Sequence, residues 1–207
     1  MNSLLFIGDI ILNNNFNNEW EKGNNPFINI THLTAENFVI GNLEAIASNN
    51  NNKNNLVKKT ILSTNINTLN FVKYFNLNLA SLANNHIYDN LDEGINKTIE
   101  FLSKNKINFF GISANNNDDI YYYKYDIILN NNPVCILTYL TPDTNPNIPS
   151  NTNIKVSLYK KEIIINNIKY FKNKYKYIIL YIHWGGRVEG AMLPDKYQFH
   201  DAHAFID

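Results

Sequence analysis

Cysteine is nearly absent from the sequence: Cys135 is the one thiol in 207 residues. A lone thiol cannot close an internal disulfide, and it suits a reducing compartment. Cys135 sits in the apolar run VCILTYL, Val134–Leu140. No neighbouring basic residue or histidine would activate it, so it reads as a small core residue. Long hydrophobic stretches are lacking as well. No window reaches the roughly 18 apolar residues that a membrane span needs. The N-terminus MNSLLFIGDI has neither the basic flank nor the long apolar segment of a signal peptide, and a cytoplasmic location is expected. Net charge is the third absence: 18 basic and 18 acidic residues give a formal charge of 0. Without a polybasic face, nucleic acid is excluded as the expected partner. Pairs such as Lys58-Lys59 and Lys160-Lys161 read as solvated faces.

What is present is globular. Hydrophobic residues make up 44% and aromatics 13% of the chain, enough for a sizeable core, and residues 1–207 read as a single domain. Asparagine supplies about a fifth of the residues, well above ordinary usage. Lys, Ile and Tyr are also plentiful and share A/T-rich codons, so a biased genome accounts for much of the excess. Tracts such as Asn13–Asn18 (NNNFNN), Asn49–Asn55 and Asn115–Asn117 are expected in loops.

Hydrophobic periodicity gives alternating strands and helices. Strands are expected at Ser3–Ile7, Phe38–Ile40, Leu77–Leu82, Ile107–Phe110 and Tyr175–Ile182. Tyr121–Leu129 and Val134–Leu140 resemble a hairpin turning at Asn130–Pro133. Helices are expected at Ile66–Phe75, Leu91–Lys104, Tyr159–Lys172 and Asp195–Ile206, the second capped by Asn90 with Glu93. Thr141–Asn153 (TPDTNPNIPSNTN) reads as a linker or a long surface loop. The order is that of a layered α/β fold.

Four of these strands end in polar residues: Gly8-Asp9, Asn42-Leu43-Glu44, Asn84-Asn85-His86 and His183-Trp184. In α/β sheets the carboxyl ends of strands converge on one edge, where ligands bind. Taken singly, each ending has an ordinary reading as a turn, a solvated carboxylate or a core histidine. Together they offer oxygen and imidazole donors of the kind that hold Mn, Fe, Zn or Mg, and two such ions can activate water against phosphorus.

The residues from Asn84 to Ile112, NNHIYDNLDEGINKTIEFLSKNKINFFGI, resemble the NNHxxDxxxxGxxxTxxxL…GI signature of the poly-gamma-glutamate capsule-biosynthesis (CapA-type) proteins. That family is a bacterial branch of the calcineurin-like metallophosphoesterases. Gly8-Asp9, Asn42-Leu43-Glu44 and His183-Trp184-Gly185 follow in family order, and Pro194, Gln198, Ala202 and Ile206-Asp207 match its helix near the end of this chain. The resemblance implies a layered metallophosphoesterase-like sandwich, with two central mixed sheets flanked by helices. It also implies two divalent metal ions. Asp9 would hold one, Glu44 would bridge both, and Asn85 with His183 would hold the second. His86 would contact the phosphate and protonate the leaving group, and Asp89 would either orient His86 or serve as a turn residue. Asn42 and Asn84 would support the ligands from behind, while Trp184, Gly94 and Thr98 would pack.

The chain departs from the wider superfamily's pattern at one place and from the family's at two. Ile11 stands where the wider superfamily has a histidine, as in the CapA-type branch generally. The family's His-Trp-Gly-x-Glu is replaced by HWGGRVEG, leaving Glu189 or Arg187 as stand-ins. The Gly-His-x-x-His motif expected after Ile-Asp would fall beyond Asp207, so the resemblance implies a C-terminally incomplete site. His200, His203 and His32 are weak substitutes and read as solvated residues. The functional expectations are a metal-dependent hydrolase acting on a phosphorylated small molecule or polymer precursor, a non-catalytic assembly factor working with capsule-synthesis proteins, or a metal-free binding module.

Overall fold

A computed structural model describes residues 3–13, 15–48, 53–58, 60–113, 122–185 and 193–206. Its centre is two sheets packed face to face. The first has the strands Leu4–Ile10, Phe38–Leu43, Leu77–Ser81 and Asn108–Phe110, in that spatial order and parallel throughout. The second has Tyr177–His183 parallel to Asn132–Leu140, which pairs antiparallel with Lys124–Leu129. Of the two central sheets expected, one is therefore wholly parallel and the other mixed.

The layers follow from alternation along the strands. Val134 and Ile136 face Ile40, Leu79 and Phe110 of the first sheet, forming the inter-sheet core with Ile127. Cys135, Leu137 and Tyr139 point the opposite way and meet Ile164, Ile168 and Phe171 of the helix Lys161–Phe171. A strand buried on both faces needs a continuous apolar run, which is why VCILTYL lacks polar alternation. Burial pushes the Cys135 thiol up to about 12, consistent with an inert core residue. The outer face of the first sheet packs Val39 and Ala80 with Ile95, Phe101 and Leu102 of the helix Leu91–Lys104. The result is a helix–sheet–sheet–helix stack.

Several local expectations are corrected. Part of the tract Asn13–Asn18 leaves the loop: Asn15–Glu21 is helical. Phe16 stacks on Phe27 with ring centroids 5.7 Å apart, and Trp20 meets Phe71 edge-on at 5.3 Å. Aromatic contact one helical turn apart outweighs the weak helix propensity of asparagine. The expected helix Ile66–Phe75 splits into a 3-10 turn, Thr68–Asn70, and a single α turn, Phe71–Tyr74. Asn90 makes no side-chain cap; its amide reaches the Ile46 carbonyl at 3.4 Å instead. The hairpin turns on Asn130 and Asn131 alone, both at positive φ (47° and 63°), with Leu129 opposite Asn132. This is the two-residue turn that suits the twist of a hairpin, and asparagine tolerates it. Among the described residues, no helix is long and apolar enough to cross a membrane.

Candidate metal centre

Asp9 is aimed by an irregularity in its own strand. Phe6 lies opposite Ile40 and Asp9 opposite Asn42, so Ile7 and Gly8 together face Gly41 alone. Gly8 takes φ +54°, a conformation that side-chain-bearing residues adopt at a cost. The extra residue turns the Asp9 carboxylate toward the strand ends, as bulges beside functional sites commonly do. Tyr181, from the second sheet, donates its hydroxyl to the Gly8 carbonyl at 3.3 Å and joins the two sheets at that point.

Asn42 and Asn84 form the floor. Asn42 Nδ2 donates to Asp9 Oδ1 at 2.7 Å and lies 3.0 Å from His183 Nδ1. Asn84, fully buried, donates to Asn42 Oδ1 at 3.1 Å and to the Leu43 carbonyl at 3.0 Å. Its own Oδ1 accepts the His86 N–H at 3.1 Å, closing an Asx turn that presents His86. His86 Nδ1 donates to Asp89 Oδ2 at 2.7 Å, and the same oxygen accepts the Leu62 N–H at 2.7 Å. Asp89 thus contacts the ring and also ties down the backbone at Leu62.

The carboxylate of Glu44 lies between the two imidazoles. Its Oε1 is 3.9 Å from His183 Nε2 and 3.8 Å from His86 Nε2. His183 Nδ1 is 3.6 Å from Asp9 Oδ1, and His183 Nε2 meets Asn85 Oδ1 at 2.8 Å. The structure thus brings Asp9, Glu44 and His183 together, with one donor atom from each within 4.8 Å of the others. Donors of a single ion at about 2.1 Å stand about 3.0 to 4.2 Å apart; the 3.6 Å from Asp9 Oδ1 to His183 Nδ1 falls in that range, while the 3.9 Å to Glu44 Oε1 is measured from the other ring nitrogen, Nε2, and belongs to a separate donor pair. Oxygen and imidazole donors of this kind fit a divalent cation of the Mn, Fe, Zn or Mg type.

The two acids are polarised in opposite directions. The His183 ring beside Asp9 holds that carboxyl below its usual range, with Asn42 assisting and partial burial opposing. Burial pushes the Glu44 carboxyl up, and the neighbouring Asp9 carboxylate adds to the rise. Neighbouring carboxylates that resist joint ionisation are what a cation relieves.

Other predicted residues stand apart. His200 and His203 are exposed on the last helix, outside this cluster, with His203 packed on Phe199 at 4.6 Å between ring centroids. His32 is exposed. Trp184 packs between Tyr159 and Tyr197. Thr98 accepts the Ala47 N–H and donates to the Gly94 carbonyl. Arg187 and Glu189 lie outside the described residues, as does the tract Asn115–Asn117. Sequence reasoning missed Thr141. Its position in a linker-like segment gave no signal, yet it is buried and contacts the chain at His183.

This fold, with acids and histidines gathered at the strand ends, is of the metallophosphoesterase-like class. The NAD nucleotidase NadN of Haemophilus influenzae superposes with a TM-score of 0.53 at 16% identity, covering 89% of this chain and 34% of that one. A 5'-nucleotidase precursor from Thermus thermophilus gives a TM-score of 0.43 at 15% identity, covering 82% and 30%. The chain therefore spans about a third of the length of these neighbours. No curated protein matches it. Residues 3–207 match the family described as bacterial capsule synthesis protein PGA_cap, and the chain belongs to that family.

Proposed function

We propose that the protein is a divalent-metal-dependent phosphoesterase, hydrolysing a phosphate ester or anhydride of a small molecule or polymer precursor. Asp9, Glu44, Asn85 and His183 are the metal ligands in this reading, with Glu44 shared between two ions. Such ions supply Lewis acidity toward a phosphoryl oxygen and lower the pKa of water. The observation that carries the reading is the position of the Glu44 carboxylate, within 4 Å of two imidazoles, on the sheet edge that also presents Asp9.

The chain's own residues divide the work. Asn42 fixes the Asp9 carboxylate by a hydrogen bond, and Asn84 holds Asn42 and the Leu43 carbonyl next to Glu44. Asp89 accepts the Nδ1–H hydrogen bond of His86, which turns Nε2 toward Glu44 and the site, where it is placed to pass a proton to a leaving oxygen.

The test is Mn²⁺-dependent release of inorganic phosphate by the purified chain from alkyl phosphate esters, whose basic leaving oxygen needs a proton. The expected result is turnover that chelation removes, with His86→Ala lowering kcat by about 10²- to 10⁴-fold. A protein that binds no divalent ion, or one whose turnover survives His86→Ala, overturns the reading. The family description names capsule synthesis, and a second reading is a factor that acts in that process without catalysis. Capsule production that persists when Asp9, Glu44 and His183 are all replaced would select it over the first.

A further inference from the structure

The segment that begins at Thr141 touches both histidine-bearing sides of the site. At its start, Thr141 is buried, and its N–H donates to the His183 carbonyl at 3.1 Å. Its hydroxyl accepts the Gly185 N–H at 2.8 Å and lies 3.4 Å from the His183 carbonyl. One side chain thus spans the backbone from His183 to Gly185. Gly185 is held close enough that an added Cβ would come within 2.6 Å of Thr144 and 2.9 Å of Asp143. Six residues after Thr141, the Asn147 carbonyl accepts Asn54 Nδ2 at 2.7 Å. Asn54, itself buried, donates its N–H to the Asp89 carbonyl at 2.9 Å. Asp89 in turn holds His86. Asn145 and Asn147 both take positive φ, 58° and 48°, and a side-chain bond from Asn147 to the Asn145 carbonyl closes the bend between the two anchors.

The geometry points to Thr141 as a positioning residue for His183, and to the stretch Thr141–Asn147 as the brace that sets the spacing of the two imidazoles on either side of Glu44. This rests on the metal-centre reading above and names a residue through which that centre is held. The hydroxyl acts on the His183 backbone rather than on a ligand, fixing the direction from which the ring enters the site. Groups that orient a ligand from behind commonly change metal affinity by about 10- to 100-fold when removed.

Thr141→Val keeps the shape and removes the hydroxyl, while Thr141→Ser keeps the hydroxyl. Two readouts are taken on each: Mn²⁺ affinity by calorimetry, and the His183 ring nitrogens by NMR on metal-free protein. The expected result is a roughly tenfold loss of Mn²⁺ affinity in Thr141→Val and recovery to within about twofold in Thr141→Ser. The ring nitrogens should show one tautomer in wild type and in Thr141→Ser, and averaged signals in Thr141→Val. Ring signals and Mn²⁺ affinity unchanged in Thr141→Val would overturn the proposal, even with a lowered melting temperature, because a purely structural role moves only stability. If the wild type binds no Mn²⁺, the metal reading fails, and the ring signals alone then decide the positioning role. Thr141→Ala serves the same comparison where the valine variant does not fold.

Discussion

Asp89 is among the most buried charged groups described, and its partners explain how burial is tolerated: one carboxylate oxygen holds both the His86 ring and the Leu62 N–H. Asp89→Ala is expected to lower stability by about 1–3 kcal/mol, because it leaves the partly buried Leu62 N–H without its acceptor. Urea unfolding measures that loss. Under the phosphoesterase reading it should also lower kcat by about 10- to 100-fold with little change in KM, since the ring loses its orientation rather than its contact with substrate. A variant with wild-type kcat and reduced stability would leave Asp89 as a turn residue only. Among single residues much was legible beforehand: Asp9, Glu44, Asn85, His86 and His183 each follow a recognisable apolar strand. Thr141 was not legible, because a threonine in a Pro- and Asn-rich stretch looks the same whether it contacts solvent or the chain at His183.

Among the elements, the helix Leu91–Lys104 lies where its apolar spacing places it. Gly94 within it runs against local propensity, since alanine there would ordinarily gain about 1 kcal/mol. An added Cβ would, however, meet the Ala47 carbonyl at 2.7 Å and Asn90 Cβ at 2.5 Å. Contact with backbone cannot be relieved by a rotamer change. Gly94→Ala is therefore expected to destabilise the protein by about 1–3 kcal/mol, read as a fall in melting temperature; a rise would show that the helix shifts freely from the Ile46–Ala47 strand. The helix Asn15–Glu21 makes the opposite point. Its asparagines favour loops, and it forms because Phe16 and Trp20 pack on Phe27 and Phe71, of which Phe71 is remote in sequence. No local window contains that information.

Across the molecule, the last helix is joined to the rest of the outer layer through Asp201. Lys161 Nζ lies 2.6 Å from one carboxylate oxygen, and the Tyr159 hydroxyl donates to the other at 2.5 Å. Burial pushes the Asp201 carboxyl up, but Lys161 and Tyr159 more than offset it, and the net shift is downward. A carboxyl with a depressed folded-state pKa contributes stability above its unfolded value of about 3.9, and that contribution is lost as pH falls through the lower folded value. Asp201→Asn is expected to be less stable than wild type near neutrality, with the gap narrowing below about pH 4. Urea midpoints measured across that range test it, and a gap independent of pH would mean that the charge of Asp201 does not hold the helix.

Periodicity and apolar run length are local properties of the chain, so the strands, the long helices and the polar residues that end the strands could be read from the residues alone. The same residues carried the family likeness that the match over residues 3–207 now establishes. Folding in three dimensions was needed to show that the four strand ends meet, that Glu44 lies between two imidazoles, and that a linker-like loop contacts both sides of the site. Those features depend on how two sheets stack and where a bulge turns one carboxylate. Such contacts join residues far apart in the chain, 141 positions in the case of Asn42 and His183, and no local pattern encodes them.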